Sequence, residues 1–209
     1  MSNAQWAETM VAQLLEYFEP DDRANTKVQS RLRLPDYPAE LVERVLSNAT
    51  SHQLLEMAHT DQQGYPFITV MGFVMMDGKV VLGSRANGVK LRRLQEDPRC
   101  SMNYHNKRSK EELACLTLVG RAVIDRDPDR TLTFNRMLSE KVYPDDAPDV
   151  ARREEMITAM DSAERVLIVL QHVDAVYIQS PPARNHKAGT PSRVISWRAD
   201  GKTPPGDRS

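Results

Sequence analysis

"MAHTDQQGYPFITVMGFVMMDGKVVLGSRANGVKLRRLQEDPRCSMNY", residues 57–104, is the stretch whose reading decides the fold. Its apolar residues come in short runs rich in Val, Ile, Phe and Met, and each run stops at a turn signal, the pattern of strands in a meander. Asp61-Gln62-Gln63-Gly64 separates "LLEMAHT" from "PFITVMGFVMM" as a hairpin loop. Asp77-Gly78 is the strongest hairpin signal in the chain, because a two-residue turn between twisted strands needs residues that tolerate positive φ. "KVVLGS" is then the returning strand, followed by a loop and a short helix that ends before Pro98, where helical backbone is disfavoured ahead of the proline ring. "RCSMNYH" resumes the strands.

Working outward, "LACLTLVGRAVI" is a further strand, reached through the charged and solvated loop "NKRSKEE". Residues 128–161 are helical with an interruption near "YPDDAPD", and "RVLIVLQ" with "DAVYIQ" supplies one or two closing strands. Upstream, Trp6, Met10, Val11, Leu14, Leu15 and Phe18 stand three and four apart, one apolar stripe of an amphipathic helix. "EPDDRANTKVQSRLRLPDYP" has neither period and reads as an irregular connection. Pro38 then opens a helix that buries Leu41, Val42, Val45 and Leu46. The expected architecture is mainly β with added helices: a six-stranded antiparallel barrel over 51–180, an N-terminal helical extension over 1–50, and a tail over 181–209. The tail is rich in Pro, Gly, Arg and Ser; part of it is expected over the site and its last ten residues to be mobile.

The balance of 28 basic and 29 acidic residues gives no global field for nucleic acid, so any anion site must be a local cluster. No apolar run approaches the roughly 20 residues of a membrane span. Two cysteines, Cys100 and Cys115, lie in apolar alternating stretches behind no leader-like segment, so reduced thiols and a cytoplasmic location are expected. Isolated cysteines and scattered histidines give no paired metal-ligand spacing, and no metal is expected. His52 and His59 read as buried or hydrogen-bonded, and His105 and His172 flank turns. Asp125, Asp127 and Asp129 fall where acids suit a helix N-terminus and are given no acid-base role.

Chemistry concentrates in "LGSRANGVKLRR", residues 82–93. A strand ending in Gly83-Ser84, a loop with Asn87-Gly88, and Lys90 in a first helical turn together offer a hydroxyl, amides and cations to an anion. By spacing alone the same residues also make an ordinary strand-to-helix loop with Lys90, Arg92 and Arg93 in solvent, and the Walker pattern is absent.

The ordered set resembles the flavin-binding split barrel of the pyridoxamine phosphate oxidase superfamily. That pattern has a D-x-x-G-x-P turn, a long strand, a D-G turn, a strand ending in Thr or Ser, a lysine six residues beyond it and L-x-x-x-P; here these are Asp61 to Pro66, Asp77-Gly78, Ser84, Lys90 and Leu94 to Pro98. "TLVGRAVI" matches a later strand of the family. The resemblance implies FMN, with Ser84 and Lys90 at its phosphate and the backbone of Thr69, Val70, Met71 and Gly72 along its ring. Arg85 is added to the phosphate contacts from its position alone. The resemblance also implies a homodimer with flavin at the interface, where Tyr104 or Trp197 reaches the partner's flavin, and a small organic substrate oxidised or reduced over the ring. Arg184 and His186, in "ARNHKAG", stand where true pyridoxamine phosphate oxidases carry an Arg-x-His that reaches substrate.

The chain departs from that pattern at three places. Gly88-Val89 replaces the Ser-Arg that several members have before the lysine, Val74 stands near the place of a second basic residue, and Ala188 takes the place of a further arginine. The oxidase's phosphate-clamping arginines and serine have no counterpart in "FNRMLSEKVYPDDAPD". The expectation is therefore an FMN-dependent oxidoreductase on this scaffold that is not a vitamin B6 oxidase. The deazaflavin F420, haem, or a flavin-binding protein without turnover are the alternatives.

Overall fold

The computed structural model describes residues 31–34, 36–47, 54–105, 115–143, 147–162, 164–180 and 193–201. In chain order the elements are β1 (Arg31–Arg33), α1 (Ala39–Ser47), β2 (Leu55–Thr60), β3 (Pro66–Met71), β4 (Phe73–Met76), β5 (Lys79–Arg85), α2 (Val89–Glu96) and β6 (Arg99–His105). They continue with β7 (Cys115–Asp125), α3 (Pro128–Val142), α4 (Ala147–Met160), β8 (Arg165–Ser180) and β9 (Arg193–Arg198).

The turns form as their residues require. Asp61 Oδ1 accepts from the amides of Gln63 and Tyr65, and Gly64 takes φ of 85°. Asp77 and Gly78 both hold positive φ, 53° and 69°, which matches the twist of β4 and β5. Asp127 caps α3 by accepting from the amides of Asp129 and Arg130, while Asp125 and Asp77 both bind the Arg130 side chain. The acidic run is thus occupied in holding a helix start.

Strand order is β1-β9-β8-β7-β6-β2-β3, with β4 on β5 and β5 on β8. β8, a single strand of 16 residues, pairs β5 through Arg165–Val169 and β9 through Ala175–Ser180. β3 runs into β4 through Gly72, so the sheet curls on itself into a split barrel. All pairings are antiparallel except that of β1 with β9. The sheet has nine strands rather than six. β1 lies in the stretch expected to be irregular and β9 in the tail, and each is short enough that pairing, not periodicity, makes it a strand.

The interior is filled by alternate residues, among them Leu55 and Met57 of β2, Met102 and Tyr104 of β6, Leu116 and Leu118 of β7, and Val176 and Ile178 of β8. Val42, Val45 and Leu46 of α1 and Leu91 and Leu94 of α2 join them. Each fully buried aliphatic or aromatic side chain contributes about 1.5–3 kcal/mol. α3 lies outside the barrel, where Phe134, Met137 and Leu138 cover Val74, Met76, Val81, Leu167 and Val169. The helix expected over residues 6–18 lies outside the described residues. Among the described residues no helix is long and apolar enough to cross a membrane.

Candidate functional site

β5 alternates between two faces until its end. Val80, Leu82 and Ser84 point into the barrel; Val81, Gly83 and Arg85 point toward α3, as their partners on β8 confirm. Ser84 is 4% exposed, yet its hydroxyl makes only a long 3.4 Å bond to the carbonyl of Arg85. A buried hydroxyl so weakly bonded is available to a better acceptor.

The chain then turns at Gly88, whose amide bonds the Arg85 carbonyl at 3.1 Å, and enters α2. A Cβ at Gly88 would stand 3.2 Å from the Arg85 carbonyl, 3.7 Å from Ser84 Oγ and 3.9 Å from Lys90 Cγ. Glycine thus keeps open the space between the hydroxyl and the lysine. Lys90 is half-buried, burial lowers its pKa, and among the described residues no acid pairs with it. Gly88 as N-cap supplies no side-chain cap, and the first turn of α2 carries no acidic residue, so the positive helix end is unneutralised. Ser84, Gly88 and Lys90 form a cradle at the start of α2 that gathers a hydroxyl, a helix N-terminus and a cation.

One helical turn beyond Lys90, the Arg93 guanidinium lies 5.4 Å from the centroid of Phe67 on β3, and Phe67 in turn tilts on His59 at 5.4 Å. Arg93 is therefore packed rather than free in solvent, and it ties β3 to the helix that carries the cradle. Among the described residues β3 pairs with β2 on one side only. Its other edge leaves backbone donors and acceptors open along Thr69, Val70 and Met71. Ile68 is 63% and Val70 56% exposed, on the outer face, whereas Met71 is buried. Gly72 ends the edge where α3 presses in: a Cβ there would meet Leu138 Cδ1 at 3.2 Å. Lys141 of α3 secures the bend, donating to the Phe73 carbonyl at 3.0 Å with its ammonium 3.5 Å from the Phe73 ring centroid. Burial pushes its pKa down to about 8.

The other residues expected at the cofactor lie as follows. Tyr104 is buried edge-on against Phe73 at 5.6 Å, inside the barrel, so in this protomer it does not face outward. Strand parity puts Asn103 and His105 on the outer face instead, where Asn103 bonds Glu56, His105, Cys115 and Thr117. Arg85 is on the α3 face of β5, opposite Ser84, in register with Arg165. Trp197 stacks edge-on against Tyr37 at 5.1 Å. Arg184 and His186 lie outside the described residues. Phe67, which packing sets against Arg93, and Arg165, which register sets opposite Arg85 on the other face of β5, have no local motif to mark them in the sequence. His59 is buried with Nε2 unpartnered, and among the described residues no group of three His, Cys, Asp or Glu could hold a metal.

The fold is a split barrel in which Ser84, Gly88 and Lys90 gather at the start of α2, and α2 is tied to the outer strand β3 by Arg93 on Phe67. The comparison with protein families makes the assignment particular: residues 41–171 match the pyridoxamine 5'-phosphate oxidase family, and the chain belongs to it. No curated protein matches. Among solved structures, PhzG from Burkholderia lata 383, in complex with tetrahydrophenazine-1-carboxylic acid, is similar at 16% identity and a TM-score of 0.55, covering 88% of this chain and 93% of that one. The conserved hypothetical protein Rv2991 from Mycobacterium tuberculosis is similar at 20% identity and a TM-score of 0.51, covering 82% and 90%.

Proposed function

We propose that this chain binds FMN and acts as an oxidoreductase on a small organic molecule. The observation that carries the reading is the cradle: a buried, weakly bonded hydroxyl and a half-buried, acid-free lysine held apart by a glycine whose Cβ would close the gap. The residues fit a phosphate monoester. Ser84 would donate its hydroxyl to it, Lys90 would supply charge, and the N-terminal amides of α2 would complete the contacts. The free edge of β3 would meet the polar edge of the ring with backbone groups of Thr69 to Met71, so side-chain identity there is permissive.

Bound flavin supplies hydride or single-electron chemistry, and the protein positions the ring and shapes the space above it. This fits a chain in which no acid-base pair stands beside the cradle. The outer face of β2, β3 and β6, with exposed Ile68 and Val70 beside the Asn103 network, would pair with a second copy and place the cofactor at a homodimer seam. Without counterparts to the phosphate-clamping residues of vitamin B6 oxidases, the substrate would not be pyridoxamine phosphate. Free Cys100 and Cys115 accord with a reducing, cytoplasmic location.

The absorbance spectrum of the purified full chain tests the cofactor: an oxidised-flavin spectrum is expected, and a Soret band or a deazaflavin spectrum would replace FMN by haem or F420. Ser84→Ala with Lys90→Ala is expected to weaken FMN at least tenfold, about 1.4 kcal/mol. Unchanged affinity would overturn the assignment of the cradle. Reduction of the bound flavin by NADH, NADPH or a candidate substrate separates an enzyme from a binding protein without turnover.

A further inference from the structure

On the other face of β5, one residue beyond Ser84, two arginines oppose each other. Arg85 of β5 and Arg165 of β8 are direct cross-strand partners, the arrangement in which like charges destabilise a sheet. Arg165 is half-buried, and its NH1 lies against the strand backbone, 3.4 Å from where a Cβ on Gly83 would stand. The ring of Phe134 comes closer still, its Cε1 2.6 Å from the same Cβ. The missing side chain at Gly83 leaves that space to the Phe134 ring, with the Arg165 guanidinium at its margin.

Among the described residues neither arginine has an ion pair with an acid, whereas Arg121, Arg130, Arg152 and Arg198 each do. Glu164, next in sequence to Arg165, is exposed, and only its carbonyl is engaged, by the amide of Ala86. Burial and the neighbouring Arg85 both lower the pKa of Arg165, in that order, and no acid raises it. Two cations set side by side, with no counter-ion among the described residues and one of them half-buried beside Gly83, describe a receptor whose charge is completed by what it binds.

The geometry points to a second anion site, in which Arg85 and Arg165 together hold a phosphate or carboxylate group on the α3 side of β5, back to back with the Ser84–Lys90 cradle. Paired guanidinium forks match the planar or trigonal oxygens of such a group. The anion is a separate molecule, substrate or free phosphate, because FMN carries a single phosphate and the proposed function places it in the cradle on the opposite face of β5. The site does not depend on the FMN reading, since it shares no side chain with the cradle.

Thermal unfolding of the full chain, with and without FMN, titrated with inorganic phosphate at constant ionic strength, tests it. Wild type is expected to gain Tm saturably, by about 2 °C or more. Arg85→Gln and Arg165→Gln should each raise the phosphate midpoint at least tenfold, and Arg165→Lys should retain part of the response. In the absence of anion, Arg85→Gln, at an exposed position, should raise Tm by removing the repulsion. A phosphate response that persists in FMN-loaded protein assigns the site to a separate molecule. A response seen only without FMN, and lost in the Arg85 and Arg165 variants, would put the single FMN phosphate on this pair and overturn the second site as separate from the cofactor's. No saturable response in wild type, or one that both Gln variants leave unchanged, overturns the site. Loss of FMN binding with the arginine response intact would overturn the FMN reading alone.

Discussion

β3 and the β7–β8 seam are made of similar residues and live in opposite environments. "PFITVM" of β3 is as apolar as "CLTLVGRAVID" of β7, yet Phe67, Ile68 and Val70 of β3 are exposed while Leu116, Leu118 and Ala122 of β7 are buried. β7 is paired on both sides, with β6 and β8, and its approach to β8 is so close that a Cβ at Gly120 would be 1.9 Å from the His172 carbonyl, beside the register shift between Val119 and Gly120. Among the described residues β3 has one neighbour and an open edge. Apolar side chains exposed on an unpaired edge are a liability in a monomer, and the proposed cofactor and second copy would cover them. The seam is closed among the described residues, whereas β3 is not.

The contrast can be broken most severely at the seam. Gly120→Ala must push a backbone carbonyl aside, and is expected to cost more than about 3 kcal/mol, read as a fall in the denaturant midpoint. A variant as stable as wild type would show that the two strands do not approach so closely. On β3, Ile68→Lys with Val70→Lys should leave the monomer's stability within about 1 kcal/mol, because both side chains are exposed, while weakening self-association by about a hundredfold in sedimentation equilibrium. Equal losses of stability and association would mean that β3 is part of the core after all.

Smaller effects sharpen the picture around the cradle. Gly88→Ala places a methyl between Ser84 and Lys90 without backbone strain, since Gly88 has φ of −68°. FMN affinity measured by fluorescence quenching should fall about threefold to tenfold, up to about 1.4 kcal/mol, while the 3.2 Å approach to the Arg85 carbonyl and the poorer N-cap lower stability by about 1 kcal/mol.

The smallest effect belongs to Lys141. Its folded pKa lies below the unfolded value, so the unfolded chain binds more protons between about pH 8 and the ordinary lysine range. Stability relative to Lys141→Met should therefore rise with pH across that window and be lowest below it. The Phe73 ring and carbonyl favour the ammonium and, with partial solvent screening, hold the change to about 1 kcal/mol. A pH-independent difference between the two proteins would show that Lys141 titrates normally.

Much of this was legible in the chain because it is local. Asp77-Gly78 and Asp61 to Gly64 make turns by their own backbone and side-chain chemistry, Pro98 ends α2, and Ser84, Gly88 and Lys90 lie within seven residues, so one loop brings them together. Period-two alternation marked the central strands. β1 and β9 escaped because three and six residues carry too little pattern without a partner, and Tyr104 was given an outward role because recognising a strand does not settle which parity faces the core.

The turns, the strand-rich middle and the family were readable from the sequence by itself, because all of them rest on spacing along one stretch of chain. Only the tertiary structure decided which residues meet across strands: Arg93 with Phe67, Lys141 with the Phe73 carbonyl, Arg85 with Arg165, and the His172 carbonyl with Gly120. Those contacts depend on pairing register and on where α3 lies against the barrel. A shift of one residue exchanges the faces of a strand, and no local propensity reports it.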